Sequence, residues 1–136
     1  MKICIVIADY YKDISDELLK GSMIELRKNG YKNIKTHFVS GAFEIPNQIS
    51  RNIKKFDAFI ALGCVIKGET DHYNFISQAV TLGLMNLSIQ SKKPIGFGIL
   101  TCNNLKQAKL RSSILKKNKG KEVALGIISI LKNDEI

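Results

Sequence analysis

The chain has 136 residues, 45% of them hydrophobic and 24% charged, with three cysteines and a formal charge of +9. This is one domain's worth of globular composition, which argues against a disordered chain and a disulfide framework. No apolar run reaches the ~20 residues of a membrane span, and the start Met1-Lys2-Ile3-Cys4-Ile5-Val6-Ile7 reads as a strand without a signal-peptide cleavage site.

Residues 2–8 form an unbroken Ile/Val-rich run, the pattern of a strand buried on both faces. Ile14, Leu18, Met23 and Leu26 fall near helical spacing, which predicts a helix over 13–29 that Gly30 ends. A short strand follows at Ile34–Val39, then a helix over 44–54 with Pro46 in its first turn. Asp57–Val65 is a second strongly apolar strand. Thr70 suits the N-cap of a long helix over 70–91, with Tyr73, Ile76, Val80 and Leu87 on one stripe. Phe75, Leu82 and Met85 widen that stripe beyond what one sheet covers, which points to a subunit contact. Pro94–Leu100 is the last strand, and helices over 104–112 and 118–132 close the chain.

Strands joined by helices need crossovers, hence a mainly parallel sheet, and right-handed crossovers put helices on both faces. The expectation is a single domain over 1–136. It is a three-layer α/β/α sandwich of four parallel strands, flavodoxin-like in outline, and cytoplasmic. Ligands of such sheets bind beyond the carboxyl ends of the strands, here residues 8–12, 40–46, 64–72 and 100–103.

Those loops carry the chemistry-bearing residues. The segment with Gly63 and Gly68, on either side of Val65, leads from a buried strand into a helix start that favours an anion, with His72 in its first turn to exchange protons near neutral pH. Phe43 beside Glu44 suits a flat polar heterocycle or a polyol; equally, they are a core aromatic and an acidic first-turn residue. Tyr10 and Tyr11 end the first strand, where one can stack on a ring or both are turn tyrosines. Phe97 reads as core. Arg111 is a fork for phosphate. His37 sits in an edge-like strand and reads as structural. Cys4, Cys64 and Cys102 and the two histidines are too scattered for a zinc site, so no metal is expected. Asn86-Leu87-Ser88 is a chance sequon.

The charge is uneven. Tyr73 to Lys121 holds nine basic residues and no acidic one, while elsewhere the two kinds number twelve each. This is an anion site or a Lys-rich bias, since 18 of the 21 basic residues are lysine. A nucleic-acid binder is disfavoured: the chain has no recognition motif and no basic–aromatic interleaving.

Taken together, four blocks resemble the lumazine synthase family. Gly41-Ala42-Phe43-Glu44-Ile45-Pro46 is similar to the family's G-A-F-E-[IL]-P. Leu62-Gly63-Cys64-Val65-Ile66-Lys67-Gly68-Glu69-Thr70-Asp71-His72-Tyr73 is similar to L-G-x-V-I-[RK]-G-x-T-x-H-[YF]. Phe97-Gly98-Ile99-Leu100-Thr101, then Gln107-Ala108 with Arg111 and Asn118-Lys119-Gly120, follow in the family's order. The resemblance implies condensation of 5-amino-6-(D-ribitylamino)uracil with 3,4-dihydroxy-2-butanone 4-phosphate, without cofactor or metal. It implies a homo-oligomer, a pentamer or an assembly of pentamers, with no nucleic acid or membrane partner. Carried over by position, Tyr10 stacks on the pyrimidine, while Ala42, Phe43 and Glu44 hold the ring and ribityl chain. Cys64, Val65 and Ile66 contact the pyrimidine through backbone groups. Glu69 and Thr70 hold the phosphate opposite Arg111, His72 moves protons, and Phe97 completes the pocket from a neighbouring subunit. Tyr10 stands where the family usually has Phe or Trp, and Ser40 where Pro is common. Leu115 stands where many members have Lys, with Lys116 and Lys119 near it as substitutes. A fold-retaining but non-catalytic ligand binder or shell protein is the rival reading, decided by supplying both substrates.

Overall fold

The computed structural model describes residues 1–68 and 72–135. Four strands, β1 (Ile3–Ala8), β2 (Ile34–Val39), β3 (Ala58–Ile66) and β4 (Ile95–Cys102), form one parallel sheet in the order β2-β1-β3-β4. The helices are α1 (Lys12–Lys28), α2 (Ile45–Arg51), α3 (Tyr73–Ser91), α4 (Leu105–Ser112) and α5 (Lys119–Asn133), with a 3-10 turn at Ala42–Glu44 before α2.

Side-chain alternation divides the core into two layers. Ile3, Ile5 and Ile7 of β1 and Ile60 and Leu62 of β3 pack with α1, α4 and α5 through Leu18, Leu26, Ala108, Val123 and Ile127. The intervening Cys4, Val6, Ala8, Phe59 and Ala61 pack with α2 and α3 through Ile45, Ile49, Val80 and Leu84. Every residue of β1 is buried, as its continuous apolar run requires of a strand covered on both sides. The expected three-layer α/β/α sandwich of four parallel strands is therefore the fold observed.

Local chemistry sets the element ends. Gly30 lies at φ +91°, and the bonds Gly30 N–H to Arg27 O and Tyr31 N–H to Leu26 O close a Schellman motif after α1. The helix expected over 44–54 is shorter. The backbone first makes the 3-10 turn, and Asn52 ends α2 by donating from Nδ2 to Gln48 O at 2.8 Å. β4 runs two residues past Leu100, because Ile66 still pairs with Cys102 and Lys67 N–H reaches Cys102 O at 2.8 Å. Helix α3 begins after His72, which is its N-cap residue rather than a member of its first turn. Thr70, the expected cap, lies outside the described residues.

Helices α1 and α5 approach unusually closely at Gly120. A β-carbon there would sit 2.2 Å from Leu18 O, and Ser22 Oγ donates to Gly120 O at 2.8 Å. Among the described residues no helix is long and apolar enough to cross a membrane.

Candidate active site

Strand order places the first cavity. β1 sends its chain outward to β2, and β3 sends its chain the other way to β4, so the carboxyl ends of β1 and β3 diverge and leave a crevice. A cavity of about 350 Å³ occupies it. Tyr10 and Tyr11 come from the end of β1, Gly41, Ala42, Phe43 and Glu44 from the turn after β2, Cys64 and Val65 from β3, and Ile76 from α3. Six of the expected site residues thus meet here: Tyr10, Ala42, Phe43, Glu44, Cys64 and Val65.

The cavity is aromatic on its rim and polar at one point. Tyr10 and Phe43 are 72% and 61% exposed, so both faces are open to a flat ligand. Tyr10 and Tyr11 lie with ring centroids 4.9 Å apart at 57°. Glu44 is the acidic group of the lining, and Ser40 Oγ donates to its Oε1 at 2.9 Å. Cys64, half-buried, has its thiol pushed up to about 12, by burial first and then by Cys102. At neutral pH it is a neutral thiol and a poor nucleophile.

Ile66 does not line this cavity. It is 2% exposed and faces the α1, α4 and α5 layer. The contact expected of it is through backbone groups, which does not depend on where its side chain faces. His72 is exposed at the start of α3, its ring 6.4 Å from that of Phe75, and its carbonyl accepts from Ile76 N–H at 2.9 Å. Glu69 and Thr70 lie outside the described residues. His37 is structural as expected: its Nδ1 is 3.0 Å from Gln48 Nε2, and its ring meets Phe56 edge-on.

A second cavity of about 570 Å³ opens on the far side of β4. Phe97 and Arg111 line it, with Thr101, Gln107, Leu110, Lys117, Lys119 and Glu122. Phe97, expected as core, is 40% exposed, because β4 is an edge strand and its outward rim is uncovered. Arg111 Nη1 donates to Thr101 O at 3.4 Å and lies 3.7 Å from Cys102 Sγ. Lys119 pairs with Glu122 at 3.2 Å. Part of the basic stretch is therefore gathered around one hollow suited to an oxyanion. Leu115, at 86% exposure, is outside it. Among the described residues of one copy, Arg111 and Phe97 line a different cavity from Tyr10 and Glu44.

Lys117 and Glu122 of this lining were not expected there, and Gln107 entered the sequence analysis only within a matched block. Gln107 and Arg111 are four residues apart, which puts them on one face of α4, and that spacing was the available signal. Gln107 is also fixed locally, its N–H donating to Asn104 Oδ1 and its Oε1 accepting from Asn103 N–H, each at 2.8 Å. Among the described residues no three His, Cys, Asp or Glu groups are placed to hold a metal ion.

A third hollow, about 460 Å³, runs between α2 and α3 past Phe43, Pro46, Val80, Gly83 and Leu87. Beside it α3 exposes Phe75, Leu82, Met85 and Ile89.

Over residues 1–135 the chain matches the family described as 6,7-dimethyl-8-ribityllumazine synthase. It is 39% identical over 132 residues to a protein of that name from Limosilactobacillus reuteri (strain DSM 20016), covering 96% of this chain and 87% of that one. It is 43% identical over 134 residues to another of that name from Buchnera aphidicola subsp. Baizongia pistaciae (strain Bp), covering 95% and 84%.

Proposed function

Since the chain belongs to the 6,7-dimethyl-8-ribityllumazine synthase family, we propose that its two cavities divide the two substrates of that reaction between them. The enzyme is a transferase of riboflavin biosynthesis. It condenses 5-amino-6-(D-ribitylamino)uracil with 3,4-dihydroxy-2-butanone 4-phosphate, giving 6,7-dimethyl-8-ribityllumazine, phosphate and water.

The cavity at the β1/β3 crevice takes the pyrimidine. The observation that carries this assignment is the meeting of Tyr10 and Phe43, two open aromatic faces, with the Glu44 carboxylate in one hollow. The ring stacks on Tyr10 and Phe43, and the ribityl hydroxyls donate to Glu44. Backbone groups of Cys64, Val65 and Ile66 hold the pyrimidine edge. Arg111 takes the phosphate, with Glu69 and Thr70 opposite it. The guanidinium fork matches two phosphate oxygens, and the lysines beside it raise the local anion concentration.

The chemistry needs proton transfers and a held anion. The 5-amino group attacks the ketone, and loss of water gives a Schiff base. Phosphate leaves by elimination, and ring closure with loss of a second water completes the product. His72 moves the protons, and juxtaposition of the two substrates supplies much of the rest.

Arg111 and Phe97 lie on the opposite edge of the subunit from Glu44, so the reading requires a second copy to complete each site. The apolar residues left exposed on α3 support a ring of copies, a homopentamer or an assembly of pentamers. We place the enzyme in the cytoplasm.

The deciding experiment supplies both substrates to the purified protein. Lumazine absorbance and fluorescence, with one phosphate released per product, is the expected result. Binding of either substrate without product would leave a ligand-binding or shell-forming protein instead.

A further inference from the structure

Two cysteine side chains on one face of the sheet lead from the first cavity toward Arg111. Cys102 ends β4 and is fully buried. In the β3–β4 register Cys64 pairs with Leu100 and Ile66 with Cys102, so the two cysteines are diagonal neighbours packed on the same face. Cys64 lines the first cavity and Arg111 the second. Arg111 Nη1 sits 3.7 Å from Cys102 Sγ and 3.4 Å from Thr101 O.

We propose that Cys102 is a positioning residue for Arg111, its sulfur accepting from the guanidinium. The inference rests on the reading of Arg111 as the phosphate cation.

A guanidinium has five N–H groups in a rigid plane. Committing Nη1 to the end of β4 turns the plane and leaves the Nη2 and Nε edge directed away from the strand, as a two-pronged grip on an oxyanion. A long Arg side chain otherwise spends much of its time in other rotamers, and holding it beforehand improves binding without adding a contact to the ligand. Burial raises both thiols, so both remain protonated at neutral pH. A neutral Cys102 sulfur keeps its lone pairs for Arg111.

Alanine and serine are nearly equal in volume, so Cys102→Ala and Cys102→Ser lose the same packing and differ in whether an acceptor remains. Both are compared with the parent by steady-state kinetics in each substrate, and by inhibition with inorganic phosphate. The expected result is that Cys102→Ala raises KM for the butanone phosphate and the inhibition constant of phosphate about three- to ten-fold. KM for the ribitylaminouracil and kcat stay within two-fold. Cys102→Ser stays within two-fold of the parent throughout. Equal behaviour of the two variants, or parallel changes in both KM values, would overturn the proposal, since packing alone would then account for Cys102. Arg111→Ala separates the premise from the inference: if it leaves KM for the butanone phosphate unchanged, the assignment of Arg111 is what fails. If Cys102→Ala is insoluble, Cys102→Val, which fills the space and accepts nothing, takes its place with the same expected result.

Discussion

Ser40 Oγ donates to Glu44 Oε1 at 2.9 Å, and the carboxylate lies back over Gly41, where a β-carbon would come within 3.1 Å of the same oxygen. The bond spans the 3-10 turn between β2 and α2, so the turn itself aims the carboxylate that the described residues give the cavity at the β1/β3 crevice. Ser40→Ala leaves that carboxylate free to rotate. A charge-assisted bond at an open site is worth about 1 kcal/mol, so KM for the ribitylaminouracil is expected to rise a few-fold. The butanone phosphate should be unaffected, and Ser40→Thr should restore the parent value. Kinetics varying each substrate in turn check this. Equal changes in both KM values would mean that Ser40 serves the fold rather than Glu44.

His72 and Arg111 are expected to fail differently. A proton shuttle acts mainly on transition states, so His72→Ala should lower kcat by about 10²- to 10⁴-fold with modest change in either KM. Added imidazole should recover part of the rate. Arg111→Ala removes a contact made in the ground state too, so its main effect is a higher KM for the phosphorylated substrate. Unchanged turnover in the His72 variant would remove the role assigned to it.

How much of this was readable beforehand depended on whether the information was local. The runs of β1 and β3 were legible because a strand buried on both faces has no polar alternation to obscure it. The first cavity was legible because Phe43, Glu44, Cys64 and Val65 sit at strand ends whatever the strand order. The allocation of Phe97 and Arg111 was not. It depends on β4 being an edge, a long-range fact that no window of sequence contains.

The cysteines give a prediction at high pH. Burial raises Cys4 from 9.0 to about 11 and Cys64 to about 12. A raised folded value means that the native protein holds these protons more tightly than the unfolded chain. Their stabilisation is intact below about pH 9 and is lost as pH rises through 11 to 12. Melting temperature should therefore fall as pH climbs from 9, and Cys4→Ala should flatten that fall even though it lowers stability at neutral pH. At pH 8, alkylation by iodoacetamide should be far slower in the native protein than in the denatured one. Rapid native labelling of Cys64 would show its thiol to be less protected than its surroundings require.

The close approach of α1 and α5 at Gly120 supplies a sharp test of packing. At Gly120 a methyl group would meet Leu18 O at 2.2 Å and Ser22 N at 3.0 Å, both backbone atoms that cannot rotate away. Gly120→Ala must push α5 off α1 and loosen the bond from Ser22 Oγ to Gly120 O. Overpacking of this kind costs about 1–3 kcal/mol, so the melting temperature should drop by several degrees. Gly126, on the same helix, has nothing within 4 Å of the position a β-carbon would take. There the alanine relieves only the entropy of a helical glycine, and Gly126→Ala should stabilise by roughly 0.5–1 kcal/mol. Because Asn118 caps α5 by accepting from Lys121 N–H, displacement at Gly120 also moves the Lys117–Lys119 wall of the second cavity. Gly120→Ala should therefore weaken inhibition by inorganic phosphate, while Gly126→Ala leaves it alone. Opposite signs in calorimetry, together with a phosphate effect confined to Gly120→Ala, are the expected pair of results. A destabilisation shared by both variants would show that helix propensity, and not the contact with Leu18, governs this interface.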